Sequence, residues 1–295
     1  MQVSANGIAL EVEDVGPPGG QPLLLIMGLG MQLTSWPDEL VQLLVARGFR
    51  VIRFDNRDSG LSQGFDHLGV PHLGIATLQH MLHWPVKAPY RLIDMARDAI
   101  GVLDALGVRS AHVLGASLGG MVAQHLAAEF PERVRSLNLM MTTSGARRLP
   151  QATLAARRVL LQRPRRHDIA ALLEHYEQLF RVIGSPAYPP EPQAFRARML
   201  RDVQRAWRPA GTLRQLIAVA ADGDRTPLLA RIVTPTHVIH GEADPLIPVE
   251  NGRDLARRIH GATSDFIAGM GHDLPLALLP RYAEGLERNA ARAAR

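Results

Sequence analysis

Ala111-His112-Val113-Leu114-Gly115-Ala116-Ser117-Leu118-Gly119-Gly120 is the stretch that decides the fold. Ala111 to Leu114 reads as a strand, and Leu118 to Glu129 as a helix ended before Pro131. Between them, Gly115-Ala116-Ser117-Leu118-Gly119 matches G-x-S-x-G. By composition alone this pattern arises in roughly one chain in ten of this length. Its placement carries the information: a strand runs into it and a helix opens from it, the setting of a nucleophile elbow. Such a turn leaves no room for side chains beside the serine, hence the flanking glycines. The helix N-terminus behind Ser117 offers unpaired N–H groups and a positive dipole end to a developing oxyanion.

Working outward, Val3 to Val15 reads as a hairpin turning at Asn6-Gly7. Leu23 to Met27 is an apolar run suited to a strand buried on both faces, ending at Gly28-Leu29-Gly30. Trp36 to Arg47 has helical spacing, and Val51 to Phe54 is the next strand. Asp55-Asn56-Arg57-Asp58-Ser59-Gly60 is turn-rich, with Arg57 and Asp58 read as bracing it. Ile93 to Leu106 is a helix and Val134 to Met141 a strand. Residues 143–225 then carry helical stretches (154–162, 168–182, 193–207, 212–221) and no strand, divided by a Pro-rich loop at 185–192. Strands return at 236–240 and 264–268, with helices at 249–260 and from about Leu276. The last residues, 289–295, are expected to fray.

Strands alternating with helices imply an α/β chain with a mostly parallel, doubly wound sheet and an inserted helical cap. The expected division is a first core part (1–142), the cap (143–225) and a second core part (226–295).

Bulk properties narrow the function. The 295 residues, 46 % hydrophobic, can bury a large core. Cysteine is absent, which excludes disulfides, thiol nucleophiles and Cys-based metal sites. No leader and no run long enough to span a membrane is expected, which points to a cytoplasmic chain. The net charge of +5 invites a nucleic-acid reading. However, Lys87 is the sole lysine, which speaks for an Arg coding bias rather than a phosphate-binding surface. The charge is also uneven: residues 143–225 hold 15 Arg against 7 acids, and the rest of the chain 18 basic residues against 21 acids. A basic insertion could steer an acidic or polyphenolic ligand, although a solvated helical face is the simpler explanation.

A serine nucleophile needs a base oriented by a third group, in the chain order Ser, Asp or Glu, His. In His240-Gly241-Glu242-Ala243-Asp244-Pro245, Asp244 is placed where the acid should emerge; Glu242 competes but lies nearer the strand end. His272, in Gly269-Met270-Gly271-His272-Asp273 after the last strand, is the base. His240 sits at a strand end beside the acid and reads as structural. The oxyanion hole should use the backbone N–H groups of Leu118 and Leu29. Asp222, Asp224 and Glu242 have no metal-ligand spacing, and Gly28-x-Gly30 lacks the acid of a dinucleotide fingerprint, so no metal and no cofactor is expected.

Met27-Gly28-Leu29 with Trp36-Pro37-Asp38-Glu39, Arg53 to Gly60, and Gly269-Met270-Gly271-His272 carry a family resemblance. The chain resembles α/β-hydrolases over nearly its whole length, most of all bacterial esterases of the aclacinomycin (anthracycline) methylesterase type. Many relatives have His-Gly where this chain has Met27-Gly28; the methylesterase-like branch also lacks that histidine. The resemblance implies the same triad and oxyanion donors, and carboxylic esters as substrates. Trp84, Met121, Met141, Tyr188 and Trp207 are candidates for an apolar acyl pocket, although each taken singly reads first as core or cap packing. The same triad could act on a lactone, an amide or a carbon–carbon bond, and a ligand-binding module could keep the fold. Ser117 disfavours dehalogenase and epoxide hydrolase chemistry, which uses Asp there. A small-molecule ester is the expected partner, with no nucleic acid and no membrane; a homodimer is compatible with the sequence.

Overall fold

A computed structural model of the chain describes residues 1–70, 72–82, 84–162, 164 and 168–293, with the backbone alone described at 77, 80 and 81. Eight strands form one sheet: β1 (Gln2–Ala5), β2 (Ile8–Val15), β3 (Gln21–Ile26), β4 (Phe49–Phe54), β5 (Ala111–Ala116), β6 (Val134–Met140), β7 (Thr236–Gly241) and β8 (Thr263–Ile267). Their spatial order is β1-β2-β4-β3-β5-β6-β7-β8. β1 and β2 pair antiparallel around Asn6 and Gly7, both at positive φ. β2 also meets β4 antiparallel, and every other pairing is parallel. The helices are α1 (Asp38–Ala46), α2 (Leu73–Met81), α3 (Leu92–Ala105), α4 (Leu118–Glu129), α5 (Leu154–Leu161), α6 (Ile169–Ile183), α7 (Pro192–Arg205), α8 (Pro209–Asp222), α9 (Thr226–Leu229), α10 (Glu250–Arg258) and α11 (Leu279–Arg292).

The sheet is apolar on both faces, and strand alternation sorts its side chains into two layers. Leu23 and Leu25 pack with Leu40 and Leu44 of α1 and Tyr282 and Leu286 of α11. Leu24 and Ile26 enter the opposite layer with Ala99 and Leu103 of α3 and Val122 and Leu126 of α4. Ser117 therefore emerges at the C-terminal edge of a central strand, between two packed helical layers.

Between β6 and β7 the described residues form α5 to α9 and no strand. The two ends of this excursion are stapled together. The Arg225 backbone N–H donates to the Ser144 carbonyl (2.8 Å), and its guanidinium donates to the Thr143 carbonyl (3.0 Å) and Asp222 (2.7 Å). Asp222 also engages His125 of α4 at 2.9 Å. Within the excursion, Phe180 of α6 meets Phe195 of α7 edge-on, centroids 5.2 Å apart. α8 is bound instead to the core: buried Arg214 grips Asp58 through two 2.8 Å bonds.

The expected fraying of the C-terminus is corrected. α11 continues to Arg292, and buried Asn289 donates to the Leu137 carbonyl at 2.9 Å. That amide satisfies a strand carbonyl inside the fold, so the last turns are anchored rather than loose. Residues 294 and 295 lie outside the described part, as do Arg163, Arg165 and Arg166 of the basic segment. The turn-rich reading after Asp55 missed α2, whose apolar spacing is weak and whose Ile75 and Leu78 stay exposed.

Candidate active site

Ser117 is the N-cap of α4 and has φ 54° and ψ −118°. A non-glycine residue there is strained. The strain is held by the neighbours: its N–H donates to the Met140 carbonyl (2.9 Å), and Thr142 Oγ1 donates to its carbonyl (2.7 Å). The flanking glycines are required by space. A Cβ on Gly115 would stand 2.3 Å from the Gly119 carbonyl oxygen, and one on Gly119 would stand 2.0 Å from that of Ile26.

The three side chains named from the sequence are brought together. His272 Nε2 lies 3.0 Å from Ser117 Oγ, and its Nδ1 lies 2.7 Å from Asp244 Oδ2. Asp244 is fixed through its other oxygen, which accepts the Leu246 and Ile247 N–H groups at 2.9 and 2.8 Å. Glu242 faces outward and pairs with Arg253 at 3.2 Å. His240 is buried 3.6 Å from Asp244 and donates from Nε2 to the Ile247 carbonyl (2.8 Å), and burial pulls its imidazole below the usual range. It braces the turn that carries Asp244.

The His272 loop is held from the helical excursion. The His272 N–H donates to the Ile183 carbonyl (2.7 Å) at the end of α6. The Gly271 N–H donates to Ser185 Oγ (2.8 Å), and the Ser185 hydroxyl donates to Asp273 Oδ1. Burial pushes the Asp273 carboxyl up, and the Ser185 hydroxyl offsets part of that. Neither Ser185 nor Asp273 was singled out in the sequence, where a serine after a helix carries no pattern.

Leu29 and Leu118 both border the space in front of Ser117. No acceptor among the described residues takes either backbone N–H. The Leu29 loop keeps its shape without the histidine found in many relatives. Asn56 Nδ2 donates to the Met27 carbonyl (2.9 Å), Ser59 Oγ to the Met31 carbonyl (2.7 Å), and the Gly30 N–H donates to Gln215 Oε1 (2.8 Å). Gln215 itself donates to the Arg57 carbonyl at 2.8 Å. The Asp55–Gly60 segment is a brace: Arg57 chelates Asp98 (2.6 and 2.7 Å), and Asp55 accepts the Leu33 N–H (2.7 Å) and Arg205 (2.7 Å).

In front of Ser117 opens a cavity of about 710 Å³, bounded by the sheet edge and by α5 to α8. Of the residues offered by the sequence, Met121, Met141 and Tyr188 line it, together with Phe180, Phe195 and Met199. Trp84 and Trp207 are not among its lining residues. Trp84 is 61 % exposed after α2, and Trp207 is half-buried between α7 and α8. Aromatic character marked both in sequence, but neither side chain belongs to the cavity wall. Among the described residues no group of three or more His, Asp or Glu is placed to hold a metal, and no helix is long and apolar enough to cross a membrane.

A doubly wound sheet with a serine elbow at its C-terminal edge is the architecture of the α/β-hydrolases. The chain belongs to that family: the family model described as alpha/beta hydrolase fold matches residues 21–276. It is 34 % identical to rhodomycin D methylesterase of Streptomyces sp. (strain C5), over 94 % of this chain and 93 % of that one. It is 33 % identical to rhodomycin D methylesterase of Streptomyces peucetius, with the same coverage. Among solved structures, an esterase from Thermogutta terrifontis superposes with TM-score 0.75 at 23 % identity, covering 100 % of this chain and 99 % of that one.

Proposed function

We propose that this chain is a carboxylic ester hydrolase that works through an acyl-enzyme on Ser117. The observation that carries the reading is the unbroken relay from Asp244 through His272 to Ser117 Oγ, opening on one large cavity. His272 Nε2 takes the Ser117 proton as Oγ attacks the ester carbonyl. Asp244 holds Nδ1–H and stabilises the imidazolium. The Leu29 and Leu118 N–H groups receive the oxyanion. On collapse the alcohol leaves with the proton from His272. Water then loses a proton to His272, attacks the acyl-enzyme and releases the acid, restoring the Ser117 hydroxyl. All of these steps run on side chains and backbone of this chain.

The methylesterase relatives suggest a small alcohol leaving from a bulky acid. The cavity agrees, since methionine and aromatic side chains suit a large apolar acyl group. In this reading residues 143–225 form a cap over Ser117, with α5 to α7 as its roof. α8 is its fixed base, because Arg214 and Gln215 bind it to the core loops. The test is hydrolysis of methyl and p-nitrophenyl esters, with a phosphonate label located by mass spectrometry. Ester turnover with the adduct on Ser117 is expected. An adduct on another serine, or no turnover of any ester, would overturn the reading.

A further inference from the structure

Besides His272, the charged residues that line the cavity are Arg198 and Arg201 of α7 and the acids Asp38, Glu39, Glu191 and Asp273. Arg201 pairs with Asp38 at 3.4 Å. Arg198 is half-buried and makes no hydrogen bond or ion pair among the described residues. Its guanidinium carbon stands 5.9 Å from the Phe195 ring centroid. Two carboxylates lie within its electrostatic reach, Asp273 and Asp202. Both are already engaged: Asp273 by the Ser185 hydroxyl, Asp202 by the hydroxyls of Thr34 (2.7 Å) and Ser35 (3.3 Å). Neither carboxylate pairs with Arg198 directly, so among the described residues its N–H donors are left without an acceptor at the cavity wall, an arrangement that a ligand anion relieves. Asp273 follows His272 directly, and both it and Arg198 line the cavity in front of Ser117.

We propose that Arg198 is an anion subsite of this cavity, and that the preferred substrate is an ester whose acid part carries a second, negatively charged oxygen. That oxygen is a carboxylate or a phenolate, and the inference rests on the ester-hydrolase reading above. The planar fork of the guanidinium would chelate it, while Phe195 and Met199 cover the adjoining apolar part of the substrate. The excess of arginine over acids in residues 143–225 adds a long-range pull on the same class of molecule.

The test compares monomethyl esters of straight-chain dicarboxylic acids, from four to ten carbons, with their dimethyl esters. Its readout is the ratio of kcat/KM for half-ester over diester at each length. In the wild type the ratio peaks at the length that reaches Arg198, by about 10-fold, the size of a charge-assisted hydrogen bond. Added salt erodes the peak. Arg198→Leu removes it and Arg198→Lys keeps part of it. Methyl 3,5-difluoro-4-hydroxyphenylalkanoates against their methyl ethers repeat the comparison for phenolate, so the two sources are told apart. Calorimetric binding of half-ester and diester to Ser117→Ala, with and without Arg198→Leu, reads the same discrimination without turnover. No preference for the anion at any length, or a preference that survives Arg198→Leu, overturns the proposal. If no ester of any kind turned over, the ester reading would fall, and the binding arm would still judge Arg198.

Discussion

Ser117 is held at φ 54° by a strand behind it, a helix ahead of it and glycines on both sides. Replacing it with Ala keeps the helix N-cap position filled and removes only the attacking oxygen. Ser117→Ala should lose on the order of 10⁴–10⁶ in kcat with an unchanged melting transition. Asp244→Asn should cost about 10⁴ in kcat, since an amide favours the wrong imidazole tautomer. Gln215 is a positioning residue rather than a catalytic one. Its Oε1 fixes Gly30, one residue past Leu29, the proposed oxyanion donor, and on that proposal Gln215→Leu should lower kcat by roughly 10-fold while KM stays near its wild-type value. Binding of a trifluoromethyl ketone, which forms an oxyanion, should weaken in parallel, whereas binding of the product acid should not. That Ser117, Asp244 and His272 converge could be read from the sequence, because a serine nucleophile demands fixed residue types in a fixed chain order beside strand ends. Gln215, Asn56 and Ser185 could not, because each supports its target through a bond across the fold. The Gln215–Gly30 bond joins residues 185 positions apart.

At the level of elements, periodicity revealed what is buried against the sheet and missed what is not. The parallel strands and the helices on both faces read clearly, since each buries an apolar run or stripe. α2 lacks such a stripe, and Leu73–Met81 escaped notice. The helices over the cavity were visible, but which of their side chains face Ser117 depends on how they pack. Phe180 and Phe195 line the space, while Trp207 does not. Phe180→Ala should therefore shift kcat/KM toward longer and wider acyl groups, with Trp207→Ala leaving the ranking of esters alone; a chain-length series on both variants checks this. Arg214 joins α8 to the 55–70 region, donating to both oxygens of Asp58, to Asp66 (2.7 Å) and to the Gly69 carbonyl (2.8 Å). Arg214→Met would strand the buried Asp58 charge and should cost about 3–5 kcal/mol of stability, read by denaturant unfolding.

The molecule as a whole carries buried histidines that set its tolerance of acid. His112, on β5 inside the sheet, hydrogen-bonds Ser136 (2.8 Å) and Gln21 (3.1 Å), and burial pulls its imidazole down from 6.5 to about 4. His237 and His240 are pulled down in the same direction by burial. Between pH 6.5 and about 4 the unfolded chain takes up a proton at His112 that the folded chain refuses. The contribution is complete above pH 6.5 and is lost as the pH falls to about 4, amounting to roughly 3 kcal/mol for His112. Thermal unfolding from pH 7 to 4 should show this decline, and His112→Asn should make its slope shallower whatever it does to the absolute melting temperature.

The hydrogen bonds that join Thr143 and Ser144 to Arg225 make the chain leave the sheet and return to it at a single point. Loop-closure entropy grows slowly with length, by about 0.6 kcal/mol for each doubling. The sheet is therefore nearly indifferent to how much chain is carried between those ends. Thr153 is tied to the Pro245 carbonyl, Ile183 and Ser185 hold the His272 loop, and Asp202, Arg205 and Arg208 reach back to the core, so the exchangeable tract is only about 154–182. Within it, deletions, duplications or a tract borrowed from a relative of different length can re-tailor what the enzyme accepts without rebuilding how it cuts. Recombination has a ready-made cassette here. A library of hybrids crossing over at these two points should retain phosphonate labelling at Ser117 while diverging in the esters they turn over, and hybrids crossing over inside α8 should lose both.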